Sequence, residues 1–214
     1  MQTARFLLLI IDLLNDYFRQ HTGLASRRGE IVAVVNRLVA AFRRNGQPVV
    51  WVRQEFAPDL SDAFLDMRRH DLRVTIAGTE GCELLPELER RPSDRVIVKK
   101  RYSAFFGTDL DGVLAALKPR TLVVAGINTH ACVRTTVIDA YQRDYEVVVV
   151  SDGVASHDAE HHEVTRRYLD GKIARFLSSG EIAVLMEPGG VSQPLYGLCS
   201  LNVNNESGPA ANGG

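Results

Sequence analysis

Cysteine is scarce in this chain. Three occur, Cys82, Cys132 and Cys199, widely spaced and with no Cys-x-x-Cys pair. That usage argues against a disulfide framework and against a structural zinc site, and a reducing cytoplasm fits it. Excess charge of one sign is also missing: 25 Lys and Arg face 26 Asp and Glu, a formal net charge of -1. No broad basic field is present to hold nucleic acid or an anionic membrane by bulk electrostatics. The longest early apolar run, Phe6 to Ile11, is too short to span a bilayer and lacks a signal-peptide cleavage pattern. No GxGxxG or P-loop pattern follows it, which speaks against a nucleotide-binding domain. The expected partner is a small-molecule substrate.

What is present is an alternation of strand and helix patterns. With 214 residues and 45% hydrophobic content, the chain suffices for one domain with a full core. Continuous apolar runs predict strands at Phe6–Ile11, Pro48–Val52, Arg95–Val98, Thr121–Ala125 and Glu146–Val150, and a sixth at Glu181–Leu185. Helical spacing predicts helices over Glu30–Asn45, Leu84–Arg90, Asp109–Leu117, Cys132–Arg143 and Asp158–Leu177. The stretch Gln54–Gly81 reads as a long irregular excursion with a short helix, of the kind that covers sites. The fold class expected is α/β, a three-layer α/β/α sandwich with a mainly parallel six-stranded sheet. Residues 1–190 form the expected domain. The Asn- and Gly-rich extension 191–214 is expected to be mobile or to contact a neighbouring subunit.

In such sheets, ligands bind beyond the carboxyl ends of the strands. Three reactive residues fall there: Asp12 after the first strand, Lys99 after the third, and Cys132 in the turn after the fourth. Each alone has a plainer explanation, as a turn cap, a solvated amine or a small buried hydrophobe. Together they suit one chemistry. A thiol at a helix start is expected to have a lowered pKa. Asp12 can take its proton, Lys99 can stabilise the thiolate, and backbone N–H groups at the helix start can bind an oxyanion.

Three segments carry a resemblance. Asp12, Asn15 and Asp16 fit a D-x-x-N-D-F pattern with Tyr17 in the last place. Lys99, Ser103, Ala104, Phe105, Thr108 and Leu110 fit K-x-x-x-S-A-F-x-x-T-x-L. Gly126, Thr129, Cys132, Val133 and Thr136 fit G-x-x-T-x-x-C-V-x-x-T. In this order they resemble the motifs of the isochorismatase-like cysteine hydrolases over residues 5–186. The resemblance implies Cys132 as nucleophile, Asp12 as general base and then acid, and Lys99 as the third catalytic member. It further implies a cis peptide at Ile127–Asn128, an oxyanion hole from the backbone N–H groups of Ala131 and Cys132, no cofactor, and a homo-oligomer, a dimer or tetramer.

The implied reaction is hydrolysis of a small amide, carbamoyl or ureido C–N bond through a thioester. The vinyl ether hydrolases of the same family lack this cysteine. Nicotinamidases carry a metal-binding Asp-x-His after the second strand, and Gln54 to Asp62 contains no histidine, so no catalytic metal is expected. The resemblance points instead to the N-carbamoylsarcosine amidase and ureidoacrylate hydrolase side, whose substrates are small and often carboxylated. Arg53 and Arg101 are candidates to pair with such a carboxylate, or equally to form surface ion pairs. Phe18, Trp51, Tyr102 and Phe106 are candidates for the pocket wall, with Trp51 equally placed to be core. His157, His161 and His162 form a local cluster that reads as a capping or exposed group more readily than as a metal site. A non-catalytic binding protein on the same fold is the competing reading.

Overall fold

The computed structural model describes residues 5–187; Cys199 and the extension 191–214 lie outside them. Six strands form one sheet: β1 (Phe6–Ile11), β2 (Val49–Gln54), β3 (Arg95–Lys99), β4 (Thr121–Ile127), β5 (Glu146–Ala155) and β6 (Arg175–Leu177). Their order is β3-β2-β1-β4-β5-β6, and every pairing is parallel. All six residues of β1 are buried, as a central strand covered on both faces requires. Alternation then divides them. Phe6, Leu8 and Ile10 enter one core, with Ile31, Leu38 and Phe42 of α2 (Thr22–Arg44) and Ile182 of α7 (Ser179–Leu185). Leu7, Leu9 and Ile11 enter the other, with Leu110 and Leu114 of α4 (Leu110–Leu117) and Val137 of α5 (Arg134–Tyr141). This period of two makes the molecule three layers.

Two elements at the C-terminal end differ from the sequence expectation. Helix α6 (Ala159–Leu169) stops well short of Leu177, because Gly171 turns the chain at φ +76° and the Ile173 and Ala174 N–H groups close back on the Leu169 carbonyl. The sixth strand is therefore Arg175–Leu177. The segment Glu181–Leu185 is helical, because Ser178 and Glu181 form a reciprocal capping box that starts α7. Leu84–Arg90 is not a helix either. Pro86 lacks an N–H, and Leu85 donates instead to the Leu13 carbonyl, 2.9 Å away. Two further helices, α1 (Asn15–Gln20) and α3 (Leu65–His70), lie at the carboxyl edge of the sheet and in the excursion respectively. Among the described residues no helix is long and apolar enough to cross a membrane.

Gly126 shows how tightly the central strands meet. It pairs with Ile11 at φ +120°, and a Cβ there would collide with the Ile11 backbone oxygen. The β4–β5 register shifts between Val124 and Gly126, with the extra residues on β5 between Val149 and Val154.

Candidate active site

The switch in strand order lies between β1 and β4, and the crevice beyond their carboxyl ends is the expected ligand position. Asp12 ends β1 with φ +55°, a left-handed conformation that Asp tolerates better than most residues. Its N–H donates to the Val52 carbonyl at 3.0 Å and its carbonyl accepts from Leu14 at 2.8 Å, so the strained residue is fixed on both sides. Lys99 ends β3, two strands away, and its long side chain reaches back under the crevice. Its Nζ sits 2.7 Å from Asp12 Oδ2, with both side chains 0% exposed. The same ammonium donates to Cys132 Sγ at 3.3 Å and to the Arg101 carbonyl at 3.1 Å. Asp12 Oδ1 has no geometric hydrogen-bond partner among the described residues.

Cys132 lies in a single π-helical turn, Thr129–Val133, between β4 and α5. The Ile127–Asn128 peptide before it is cis. Burial pushes the thiol up to about 12; the Lys99 charge pulls it down and Asp12 pushes it further up. Burial and Asp12 therefore act against the lowered thiol pKa expected at a helix start. Burial alone would lower the Lys99 pKa, but the charges of Asp12 and Cys132 hold it above its usual value. The Ala131 N–H donates to the Asn128 carbonyl at 3.0 Å. It is therefore engaged rather than open, and a substrate oxygen at this donor would have to share it.

A cleft of about 530 Å³ opens above Cys132. Tyr102 lines it, although half-exposed, and packs against Phe64 with ring centroids 5.0 Å apart. The other substrate-binding candidates lie elsewhere. Phe18 is buried in the α2-side core, Trp51 likewise, with its indole N–H donating to Asp94 at 3.0 Å. Phe106 is 66% exposed and is not among the lining residues. Arg53 is held by Glu55 at 2.6 Å and Glu83 at 2.7 Å. Arg101 donates to the carbonyls of Asp62 and Lys100, both at 2.7 Å, with its guanidinium over the Phe64 ring.

Residues beyond the candidate set complete the site. Tyr17 and Gln54 line the cleft, and the Tyr17 hydroxyl donates to Gln54 Oε1. Burial, then the charges of Asp12 and Cys132, push the Tyr17 pKa well up, so it stays a neutral donor. Gln54 is buried, and its Nε2 has no partner among the described residues. Asn15 and Asp16 secure the excursion over the site: Asn15 Nδ2 donates to the Glu80 carbonyl at 2.9 Å, and Asp16 accepts from the Thr75 N–H at 2.7 Å. Ser103 donates to Asp139 on α5, and the Ala104 N–H donates to Thr136 Oγ1 at 3.0 Å. These contacts tie the segment after Lys99 to the helix after Cys132.

The histidines brace the turn that holds Cys132. His157 Nδ1 lies 3.1 Å from Asn128 Oδ1, and His162 Nδ1 lies 3.0 Å from Thr129 Oγ1. His161 is exposed and pairs with Asp158, the cap of α6, at 2.7 Å. His130 contacts Ser156 Oγ at 2.6 Å, and His21 stacks on His157 with centroids 4.1 Å apart. Among the described residues no group of three His, Cys, Asp or Glu side chains is arranged to hold a metal ion.

Known proteins resemble this chain over most of its length. Residues 6–181 match the isochorismatase domain. A ureidoacrylate amidohydrolase RutB from Methylorubrum extorquens is 35% identical over 71% of this chain and 69% of its own length. A probable inactive nicotinamidase from Arabidopsis thaliana is 38% identical over 77% of this chain and 87% of its own. The crystal structure of N-carbamoylsarcosine amidase from Thermoplasma acidophilum superimposes with a TM-score of 0.69 at 31% identity, covering 82% of this chain and 96% of that one. A cysteine, an aspartate and a lysine meeting at the switch point of an all-parallel sheet, under a match that runs from β1 into α7, make this chain a member of the isochorismatase family of hydrolases.

Proposed function

We propose that the chain is a metal-independent cysteine amidohydrolase that cleaves the C–N bond of a small amide, carbamoyl or ureido compound. One observation carries the reading: the buried Lys99 ammonium lies 2.7 Å from Asp12 and 3.3 Å from the Cys132 sulfur. Because burial keeps the resting thiol protonated, attack needs a base at the moment of reaction rather than a standing thiolate. Asp12 is that base. Its Oδ1 has no geometric partner among the described residues, its Oδ2 lies 2.7 Å from the Lys99 ammonium, and Lys99 compensates the negative charge as it moves between sulfur and carboxylate.

The sulfur bonds to the carbonyl carbon as its proton passes to Asp12. The carbonyl oxygen gathers negative charge beside the N–H groups of the turn at Cys132. Collapse breaks the C–N bond, and the Asp12 proton leaves with the departing ammonia or amine. The acyl group is then a thioester on Cys132. Asp12 next takes a proton from water, the hydroxide displaces the sulfur, and the thiol recovers its proton as the acid departs. The names of the amidohydrolase and amidase relatives support this direction of chemistry.

The test is ammonia release from a panel of small amides and ureido acids by wild type and Cys132→Ala, each with and without chelator. The reading predicts release by wild type that persists in chelator and falls at least about a thousandfold in the variant. Release that survives Cys132→Ala, or stops in chelator, contradicts it.

A further inference from the structure

The charge of the cleft lining is informative beyond the reaction itself. One wall comes from the excursion after β2 and carries Phe56, Phe64, Met67, Leu72 and Val74. The facing wall carries Asn128 and the imidazoles of His21, His130 and His157. Among the described residues no lysine or arginine lines the cleft, and the one carboxylate there is Asp66. The guanidiniums adjacent in sequence to lining residues have partners elsewhere: Arg53 with Glu55 and Glu83, Arg19 with Glu80, Arg73 with Asp71 and the Pro58 carbonyl, Arg68 with the Ser61 carbonyl, and Arg101 with two backbone carbonyls. The Lys99 ammonium is occupied beneath the floor by Asp12. Burial, with His157 nearby, holds His21 and His130 below the usual imidazole pKa, so neither supplies a standing positive charge at neutral pH.

A substrate carboxylate in this cleft would exchange its hydration for an apolar wall, with no lysine or arginine of the described lining to pair with. An apolar body would instead be buried favourably against Phe56, Phe64, Met67 and Leu72. The volume of about 530 Å³ lies within the range of small-molecule sites.

From this lining we infer that the substrate is an uncharged amide with an apolar, ring-sized or branched body, and that small carboxylated amides and ureido acids are poor substrates. The inference rests on the amidohydrolase reading for its chemistry, but the binding preference stands apart from it. The unpartnered Gln54 Nε2 and the imidazoles offer donors for a neutral polar group on such a body.

Matched compounds test it at about pH 8, where histidine is neutral: benzamide against 4-carboxybenzamide, and 3-methylbutanamide against succinamate and ureidoacrylate. Ammonia release is read with wild type, and binding by calorimetry with Cys132→Ala. The expected result is kcat/KM at least about 100-fold higher for each neutral compound, with the same order in Kd. Leu72→Arg, at a half-exposed wall position, should narrow that ratio at least about tenfold by adding a cation. If no compound is hydrolysed but the neutral ones bind preferentially, the hydrolase reading fails and the substrate inference stands. Carboxylated compounds binding or turning over as well as neutral ones, a ratio unmoved by Leu72→Arg, or no binding by any compound overturns the inference.

Discussion

The ammonium of Lys99 and the carboxylate of Asp12 approach to 2.7 Å with neither side chain reaching solvent. Each charge compensates the other, so loss of one partner leaves a buried charge unpaired. Lys99→Met is expected to lower the unfolding free energy by about 3–5 kcal/mol. Combining it with Asp12→Asn should recover part of that loss, and both variants are expected to be inactive. Urea unfolding followed by circular dichroism measures the difference. A double variant less stable than Lys99→Met alone contradicts the pairing.

The buried Cys132 thiol, pushed up to about 12, should react slowly with a neutral alkylating agent near pH 7. Iodoacetamide labelling followed by mass spectrometry is expected to accelerate about tenfold per pH unit, with no plateau before about pH 10. A plateau below pH 8 would mean that Lys99 and the turn overcome burial after all.

Acidification should loosen the histidine belt first. His21, His130 and His162 are all held below their usual pKa, chiefly by burial. The unfolded chain therefore binds their protons more readily than the folded one. Stability rises with pH across the window between the lowered folded values and the ordinary value of about 6.5, and is lost as pH falls through it. Thermal melting from about pH 8 to pH 5 is expected to show a falling Tm below about pH 6.5, and His157→Gln should change its slope by removing the neighbour that contributes to two of the shifts. A Tm indifferent to pH over this range contradicts the assignment.

Gly126→Ala should be among the most damaging substitutions in the sheet. The added carbon meets the Ile11 backbone, and φ +120° suits no L side chain. A loss of more than about 4 kcal/mol, or an insoluble product, is expected; wild-type stability would show that the β1–β4 approach is looser than described.

Much of this arrangement could be read from the sequence, for identifiable reasons. The central strands are continuous apolar runs, and Asp12, Lys99 and Cys132 fall where those runs stop. Where sequence and structure differ, local signals compete. The apolar stretch around Ile182 to Leu185 resembles a strand until the capping pair Ser178 and Glu181 is weighed against it. Leu84 and Leu88 have helical spacing, but Pro86 stands between them. In the site, Arg53 and Gln54 are neighbours on β2 and so face opposite sides of the sheet; the cleft receives the amide rather than the guanidinium. Tyr17 and Gln54 meet only in the folded chain, 37 positions apart, and no local pattern announces the contact.

The central claim, that Cys132 carries the acyl group, is tested most directly by acid-quenching the wild-type protein during turnover and weighing its peptides. The account predicts a mass increase equal to the acyl group on the Cys132 peptide, absent in Cys132→Ala and relieved by hydroxylamine. Turnover with that peptide unmodified at every time sampled, together with activity retained in Cys132→Ala, would contradict it.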